Sequence, residues 1–379
     1  MFISVITPVS KNADILILTA GFGEGHNSAA LNLKRALATY NTHVPVHCAD
    51  PCALGDPFLN KRIQNFYLRV TTHAPWLWRK IYLSTEKKDF SKDSIPFMRK
   101  PKEKLQELLE EFRPKVIVST YPLYPYFLKH IPQGDQPKIP VITIVTDSIE
   151  INAAWRKAPT DYWLVTDQRT RESLIRQGLP ETQIIETGFP VDPHFADLSP
   201  ITADDDIEPF KILYFPTPKK PHVRRVSREL LESAGKNTTL TIVLGKNFRK
   251  LYSRAHEIKE AFPGRVTIKA WTKKVPELLN SHHLVVGKAG GATVHEALAA
   301  ACPMLIHHLV PGQEEGNLNL LRHLNGGDLA DTPGALASHL REMLADNASG
   351  WRKMKRSLAR QARPSAAHTA ANFILSQLK

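Results

Sequence analysis

The sequence predicts an α/β protein made of two Rossmann-like domains that face each other across a cleft. Short apolar runs alternate with amphipathic helical patterns along most of the 379 residues. This alternation is typical of parallel sheets built from βαβ units. It is interrupted by the polar, acidic segment 197–210, after which the pattern starts again. The length of the chain also agrees with two domains of medium size.

The first domain is expected to cover residues 1–196. Its predicted strands are DILILTA, VPVHCA, KVIVST, VITIVTD, YWLVTD and QIIETG, and helices are expected from about Asn27, near 122–130 and near 168–177. The segment 197–210 is interpreted as a linker because it is polar and contains proline. The carboxyl ends of the parallel strands in this half are expected to meet at one edge of the sheet, where ligands of such sheets bind.

The second domain is expected to cover residues 211–350. Its predicted strands are KILYFP, LTIVLG, RVTIKAW, HLVVGKAGG and PMLIHHLVPG, with helices from about Val223, Phe248 and Thr293. The basic segment 351–379 is expected to form helices that pack back toward the first domain. Two glycine-rich turns, at Gly21 and Gly287, each follow a strand and precede a helix, so both are expected to line the cleft.

The composition restricts the class of partner. The formal net charge of +13 suggests an anionic partner, such as a nucleotide, nucleic acid or an acidic membrane surface. Three cysteines argue against a disulfide framework. No segment has the pattern of a signal peptide, and no apolar run approaches the roughly 20 residues of a membrane span. We therefore expect a cytoplasmic protein that does not cross a membrane.

The first glycine turn, TAGFGEGHNSAA, contains Gly25 and His26. Such a turn can cradle a phosphate, shape a catalytic site or simply reverse the chain. A histidine here can act as a general base or donate to a diphosphate, or it can merely cap its helix. Asp147 ends the strand VITIVT and is the rival base, although it can also be an ordinary N-cap.

The second glycine turn begins the segment KAGGATVHEALAAACPMLIHHLVPGQEEGN. Gly290 and Gly291 expose amides at a helix N-terminus, which is a suitable diphosphate site without a metal. Thr293 is expected to cap this helix, and Glu296 fits either a ribose contact or a capping box with Thr293. After the next strand, amide and carboxylate groups at residues 313, 314 and 317 suit sugar hydroxyls or a further helix cap.

This segment resembles the nucleotide-sugar motif of the family 28 glycosyltransferases. The resemblance is strongest to the monogalactosyldiacylglycerol synthases and the processive diacylglycerol glucosyltransferases, and it extends over most of residues 13–330. It implies the GT-B glycosyltransferase fold and a UDP-sugar donor, with no other cofactor. No Asp-x-Asp motif follows a predicted strand, so we expect no metal ion at the site. The UDP-sugar-binding residues implied by the resemblance are Gly25, Trp271, Thr272, Lys288, Gly290, Gly291, Ala292, Thr293, Glu296, Gln313, Glu314 and Asn317.

The sequence departs from the family pattern at three places. Asn152 stands where the lipid enzymes usually have histidine, and Asp192 stands where they usually have arginine. The first loop of the second domain is FPTPKKPHVRR instead of a glycine-rich turn. Its bases, Lys219, Lys220, Arg224 and Arg225, are expected either to compensate at the diphosphate or to be solvated.

The stretch 58–88 mixes aromatic and basic side chains. Such a mixture suits a membrane interface, nucleic-acid bases or an ordinary core with a basic rim. The family resemblance favours the membrane, with contacts expected from Trp76, Trp78, Arg79 and Lys80.

Together these features favour an inverting UDP-sugar hexosyltransferase that acts on a membrane lipid. Its partners would be the UDP-sugar, a lipid acceptor such as diacylglycerol and an anionic membrane surface, with no nucleic acid, and it would bind peripherally to the cytoplasmic face. His26 or Asp147 would be the base. A UDP-sugar epimerase and a transferase with another acceptor are the alternatives on this fold, and the sequence does not specify the sugar.

Overall fold

The computed structural model describes residues 13–40, 43–86, 90, 98–132, 138–332 and 334–378. Within these ranges the strands form two parallel, six-stranded sheets. The first has the order β2-β1-β3-β4-β5-β6 and the second β12-β11-β10-β7-β8-β9. The predicted α/β fold of two Rossmann-like units is confirmed.

The strands of the first sheet are β1 Ile15–Leu18, β2 Val46–Ala49, β3 Val116–Ser119, β4 Val141–Ile144, β5 Tyr162–Val165 and β6 Ile184–Glu186. Those of the second are β7 Phe210–Tyr214, β8 Thr238–Val243, β9 Val266–Lys269, β10 Leu284–Lys288, β11 Met304–His308 and β12 Gly327–Leu329. Residues 198–209 join the two sheets without a helix or strand.

Helices cover the faces of both sheets. In the first half they are α1 Glu24–Tyr40, α2 Pro51–Gly55, α3 Pro57–His73, α4 Pro75–Glu86, α5 Arg99–Phe112, α6 Tyr124–Lys129, α7 Ala153–Arg156 and α8 Gln168–Arg176. In the second they are α9 Lys220–Ser233, α10 Phe248–Ala261, α11 Val275–Ser281, α12 Gly291–Ala299, α13 Glu315–His323, α14 Ala335–Ala359, with non-helical backbone at 345–348, and α15 Ala366–Ser376.

The central strands are buried on both faces, as expected for a parallel sheet flanked by helices. All four residues of β1 are fully buried. The last helix, α15, packs against α1, where its small residues Ala367, Ala370 and Ala371 join the core of the first sheet. The end of the chain therefore returns from the second half to the first.

Two helices start earlier than their patterns predict. The α1 helix begins at Glu24 instead of Asn27, and α12 begins at Gly291 instead of Thr293. In both cases the first turn lies inside the glycine-rich segment, which helix propensity alone disfavours. Gly23 has φ +91°, a conformation that glycine adopts readily, and it ends the loop directly before α1.

Among the helices in the described ranges, none combines the length and the apolar character that a bilayer span requires.

Candidate active site

The carboxyl ends of strands from both sheets enclose a small cavity of about 50 Å³. It is lined by nine residues that the sequence analysis assigns to the site: Gly25, His26, Asp147, Lys288, Gly290, Gly291, Gln313, Glu314 and Asn317. Five further residues also line the cavity: Phe22, Gly23, Glu24, Tyr67 and Thr146. The fold thus brings both glycine turns and both candidate bases to one place.

His26 lies in the first turn of α1, and its ring contacts the first domain's own strand ends. Its Nδ1 is 3.2 Å from the Thr146 hydroxyl, and the Thr120 hydroxyl donates to its carbonyl over 3.1 Å. Burial lowers the pKa of the His26 imidazole to about 4. The ring is therefore neutral at pH 7, and it bonds to a neighbouring loop instead of capping its own helix.

Asp147 follows β4 and is the second candidate base. Its Oδ2 accepts a 2.8 Å hydrogen bond from the indole nitrogen of Trp155. Burial raises the pKa of Asp147 to about 6, the nearby Glu314 carboxylate adds to this effect, and the Trp155 bond opposes it. The N-cap of the next helix, α7, is Asn152, so the interpretation of Asp147 as a helix cap is wrong.

The second glycine turn brings the N-terminus of α12 against the first domain. Gly290 is the N-cap, with no side-chain capping bond, so Thr293 does not cap the helix as predicted. Glu296 is the sixth helical residue, which excludes a capping box. A Cβ on Gly291 would lie 2.6 Å from the Thr146 carbonyl oxygen. A larger residue at 291 would therefore keep the two halves apart.

Glu296 lies half-buried on α12, outside the small cavity. Burial raises the pKa of its carboxyl to about 8, and the Asp192 carboxylate adds to this shift. Asp192 itself accepts a 2.6 Å ion-pair hydrogen bond from Arg35 of α1. The Arg35 guanidinium therefore lies beside position 192, where the family usually has an arginine and this chain has Asp192.

The turn before α13 and the first turn of that helix hold three of the predicted sugar contacts. Glu314 is buried, and its two oxygens accept from the Lys288 ammonium at 3.0 Å and the Val310 amide at 3.0 Å. Asn317 donates to the carbonyl of Ala289 over 3.0 Å. Its Oδ1 is buried without a hydrogen-bond partner among the described residues. Gln313 accepts from the Tyr67 hydroxyl over 3.1 Å.

Several predicted residues do not line the cavity. Trp271 is 59% exposed, and the Thr272 hydroxyl accepts from the amide of Lys274 over 3.0 Å; their assignment to uracil stays a prediction. Arg224 and Arg225 line a groove with Arg228 and Arg254 on the outer side of α9 and α10. These two arginines therefore do not compensate at the cavity, and the Lys220 side chain lies outside the described part of the protein.

The helices α3 and α4 expose an aromatic and basic surface. Phe58, Phe66 and Trp76 are 72%, 53% and 61% exposed, and the Lys80 ammonium lies 5.4 Å from the Trp76 ring centroid. Trp78 differs from its prediction as a surface contact, because it is half-buried with its ring 4.8 Å from that of Tyr67. Residues 87–88 of this stretch lie outside the described residues.

Asn152, which also departs from the family pattern, has a structural role. Its Oδ1 accepts from the amide of Ala154 over 2.9 Å, and its amide donates to the Thr85 hydroxyl of α4 over 3.0 Å. This side chain therefore caps α7 and also joins the end of α4 to the start of α7.

Residues 26–191 match the family model of monogalactosyldiacylglycerol (MGDG) synthase. The resemblance to the diacylglycerol glycosyltransferases is confirmed. A processive diacylglycerol beta-glucosyltransferase of Bacillus cereus is 26% identical over 313 residues, which cover 81% of this chain and 79% of that protein. The enzyme of the same name from Bacillus subtilis is 23% identical over 344 residues, with 89% and 88% covered.

Solved structures support the fold. MurG of Acinetobacter baumannii aligns with a TM-score of 0.62 at 13% identity over 96% of this chain and 99% of that one. A UDP-GlcNAc 2-epimerase from Neisseria meningitidis, bound to UDP-GlcNAc, has a TM-score of 0.59 at 12% identity, with 96% and 99% covered. At these identities the likeness shows the two-domain GT-B architecture alone.

Proposed function

We propose that this protein is an inverting glycosyltransferase that moves a hexose from a UDP-sugar to a membrane lipid such as diacylglycerol. The observation that carries the proposal is the single cleft in which His26 and Asp147 of one domain meet the α12 N-terminus of the other. The relatives with similarity over most of the chain bear the name of processive diacylglycerol beta-glucosyltransferases.

The second domain would hold the donor. The amides in the first turn of α12 (residues 291–293) have no intrahelical partner, and together with the helix dipole they attract a diphosphate. The Lys288 ammonium lies beside them in the same cavity, where it is paired with the Glu314 carboxylate. Glu296 would accept hydrogen bonds from the ribose, Gln313 and Asn317 would contact the hexose, and Trp271 with Thr272 would hold the uracil.

The two domains would have to separate for the donor to enter. A cavity of about 50 Å³ has room for one or two water molecules, at about 30 Å³ each. At two positions of the second domain, the absence of a side chain allows close contact with residues 146–148. A Cβ on Gly316 would collide with the carbonyl oxygen of Ser148, as one on Gly291 would approach Thr146. The structure therefore represents a closed arrangement of the cleft.

The reaction assigns different roles to the two candidate bases. The acceptor hydroxyl oxygen bonds to the anomeric carbon, the bond from that carbon to UDP breaks on the opposite face, and the hydroxyl proton passes to a base. A base with a pKa near the working pH is the more effective. The pKa of Asp147, about 6, suits this task better than the pKa of His26, about 4. In the tautomer that carries its proton on Nε2, the neutral His26 accepts from Thr146 at Nδ1 and would donate from Nε2 to the diphosphate.

Substitution of the two residues tests this assignment. We expect Asp147→Asn to lower turnover by about 10²–10⁴-fold, the usual contribution of a general base, with UDP binding retained. His26→Gln should keep part of the activity, because an amide still donates a hydrogen bond. An inactive His26→Gln variant together with an active Asp147→Asn variant would transfer the base role to His26.

The acceptor would reach the cleft from the exposed surface of α3 and α4. Its aromatic residues and bases suit the interface of an anionic membrane, and we propose peripheral attachment to the cytoplasmic face. Nucleic acid is not expected as a partner. UDP should raise the melting temperature, because ligands that bind the native state stabilise it, and an equal or larger rise with oligonucleotides would contradict this assignment.

UDP release provides the test of the function. The protein should release UDP from a UDP-sugar only when diacylglycerol micelles are added, and the Asp147→Asn variant should release none above background. Conversion of the UDP-sugar into an isomer without lipid would instead indicate an epimerase on the same fold.

A further inference from the structure

We infer that Tyr67 is a positioning residue of the sugar site, which holds the Gln313 amide so that its NH₂ group faces the donor hexose. This inference rests on the proposed function and deepens it. Tyr67 belongs to α3 of the first domain, yet its hydroxyl lies in the cavity and donates to Gln313 Oε1 in the second domain over 3.1 Å.

The Tyr67 ring packs against an aromatic neighbour. Trp78 of α4 packs edge-on against it, with ring centroids 4.8 Å apart. A Cβ on Gly23 would lie 3.9 Å from the Tyr67 hydroxyl oxygen, so this glycine leaves space beside the phenol. Burial raises the pKa of the phenol further above its ordinary value, so the hydroxyl keeps its proton and remains able to donate.

The neighbouring polar groups leave Gln313 with a specific task. Both oxygens of Glu314 already accept, from the Lys288 ammonium and the Val310 amide. Asn317 has its amide nitrogen bonded to Ala289, which leaves its buried Oδ1 as an acceptor. Because Gln313 Oε1 accepts from Tyr67, its Nε2 is the atom that remains to donate.

The cavity therefore offers sugar hydroxyls a donor from Gln313 and an acceptor from Asn317. Without the Tyr67 hydroxyl, the Gln313 amide would lose the bond that fixes its orientation, and its two ends would exchange. Discrimination between hexoses that differ in one hydroxyl requires a fixed donor and acceptor pattern. Tyr67 thus makes the first domain a contributor to donor selectivity.

The test is Tyr67→Phe, which removes only the hydroxyl. The affinity for UDP, measured by calorimetry, should equal that of the wild type, because UDP carries no hexose. The preferred UDP-hexose should lose about two- to tenfold in kcat/KM, the usual effect of one neutral hydrogen bond. The ratio of kcat/KM between UDP-glucose and UDP-galactose should move toward one. Tyr82→Phe is the control, since the Tyr82 ring lies beside the same turn, where a Cβ on Gly312 would be 3.1 Å from it.

A double-mutant cycle separates this role from a general packing role. In a Gln313→Ala background, Tyr67→Phe should cause no further change in the hexose ratio, because their effects pass through one contact. An unchanged ratio in the single Tyr67→Phe variant, or an equal change in both backgrounds, would overturn the inference. A wild-type protein that neither binds UDP nor transfers a hexose would instead overturn the proposed function.

Discussion

Replacement of Trp155 by phenylalanine should shift the pH dependence of turnover. The indole donates to Asp147 Oδ2 over 2.8 Å and so favours the ionised carboxylate. Hydrogen bonds to charged groups are worth about 1.5–3 kcal/mol, and one pKa unit corresponds to about 1.4 kcal/mol. Loss of the bond should therefore raise the pKa of Asp147 by about one to two units.

The sign of this effect follows from the role of the carboxylate. A base must be ionised to accept a proton, so activity falls as the pH drops through its pKa. At saturating UDP-sugar, where the bound donor already keeps Glu296 ionised, the acid limb of kcat in the wild type is expected near the Asp147 pKa of about 6. In Trp155→Phe the acid limb should lie about one to two pH units higher. The variant should lose less activity on the alkaline plateau, where Asp147 is ionised, than it loses at acid pH.

The assay is the rate of UDP release in lipid micelles between about pH 3 and pH 9, a range that covers both candidate pKa values, with melting temperatures recorded for each variant. Trp351→Phe is a suitable control, because Trp351 is also buried and its indole donates over 2.7 Å to a backbone carbonyl, that of His283 in the second domain. An acid limb that stays in place in Trp155→Phe, or a wild-type limb near the His26 pKa of about 4, would refute the assignment of Asp147 as the base.

Four further outcomes are expected. Glu296→Ala should weaken UDP binding about ten- to a hundredfold through the loss of charge-assisted bonds to ribose. Since the carboxyl has a pKa of about 8, UDP binding to the wild type should release a proton and tighten as the pH rises toward 8. A UDP affinity that calorimetry finds independent of pH would exclude the contact. Gly316→Ala should retain UDP binding but lose turnover, because its Cβ meets Ser148 only in the closed cleft; equal turnover would contradict closure. Activity should survive EDTA, since α12 and basic groups would neutralise the diphosphate; loss on chelation, restored by Mg²⁺, would show otherwise. Trp76 is exposed, and Trp76→Ala should reduce co-sedimentation with phosphatidylglycerol vesicles but leave UDP binding unchanged. Undiminished co-sedimentation would contradict the assignment of Trp76 to the membrane-binding surface.

Residues at strand ends and in glycine turns are predictable from the sequence because their pattern is local. His26 and Asp147 each follow a short apolar run, and the carboxyl ends of parallel strands meet at one edge. The same reasoning locates Gly290 and Gln313 in the second domain. Their meeting in one cavity follows from the two-domain architecture.

Contacts between distant segments explain what the sequence does not reveal. The bond from Trp155 to Asp147 depends on how α7 packs, and Tyr67 reaches Gln313 only after the two domains come together. Glu314 looked available for a sugar hydroxyl, but Lys288 and the turn's own amide already occupy its oxygens. These relations are set by tertiary packing, to which neither helix periodicity nor turn composition responds.

The most direct test of the proposed function is mass spectrometry of the lipid products. The wild-type protein is incubated with a membrane lipid extract and a panel of UDP-hexoses, with the Asp147→Asn variant in parallel. We expect diacylglycerol species heavier by one hexose unit, formed with an equal amount of UDP, and none with the variant. An unchanged lipid extract beside an isomerised or intact UDP-sugar would contradict the proposed transfer.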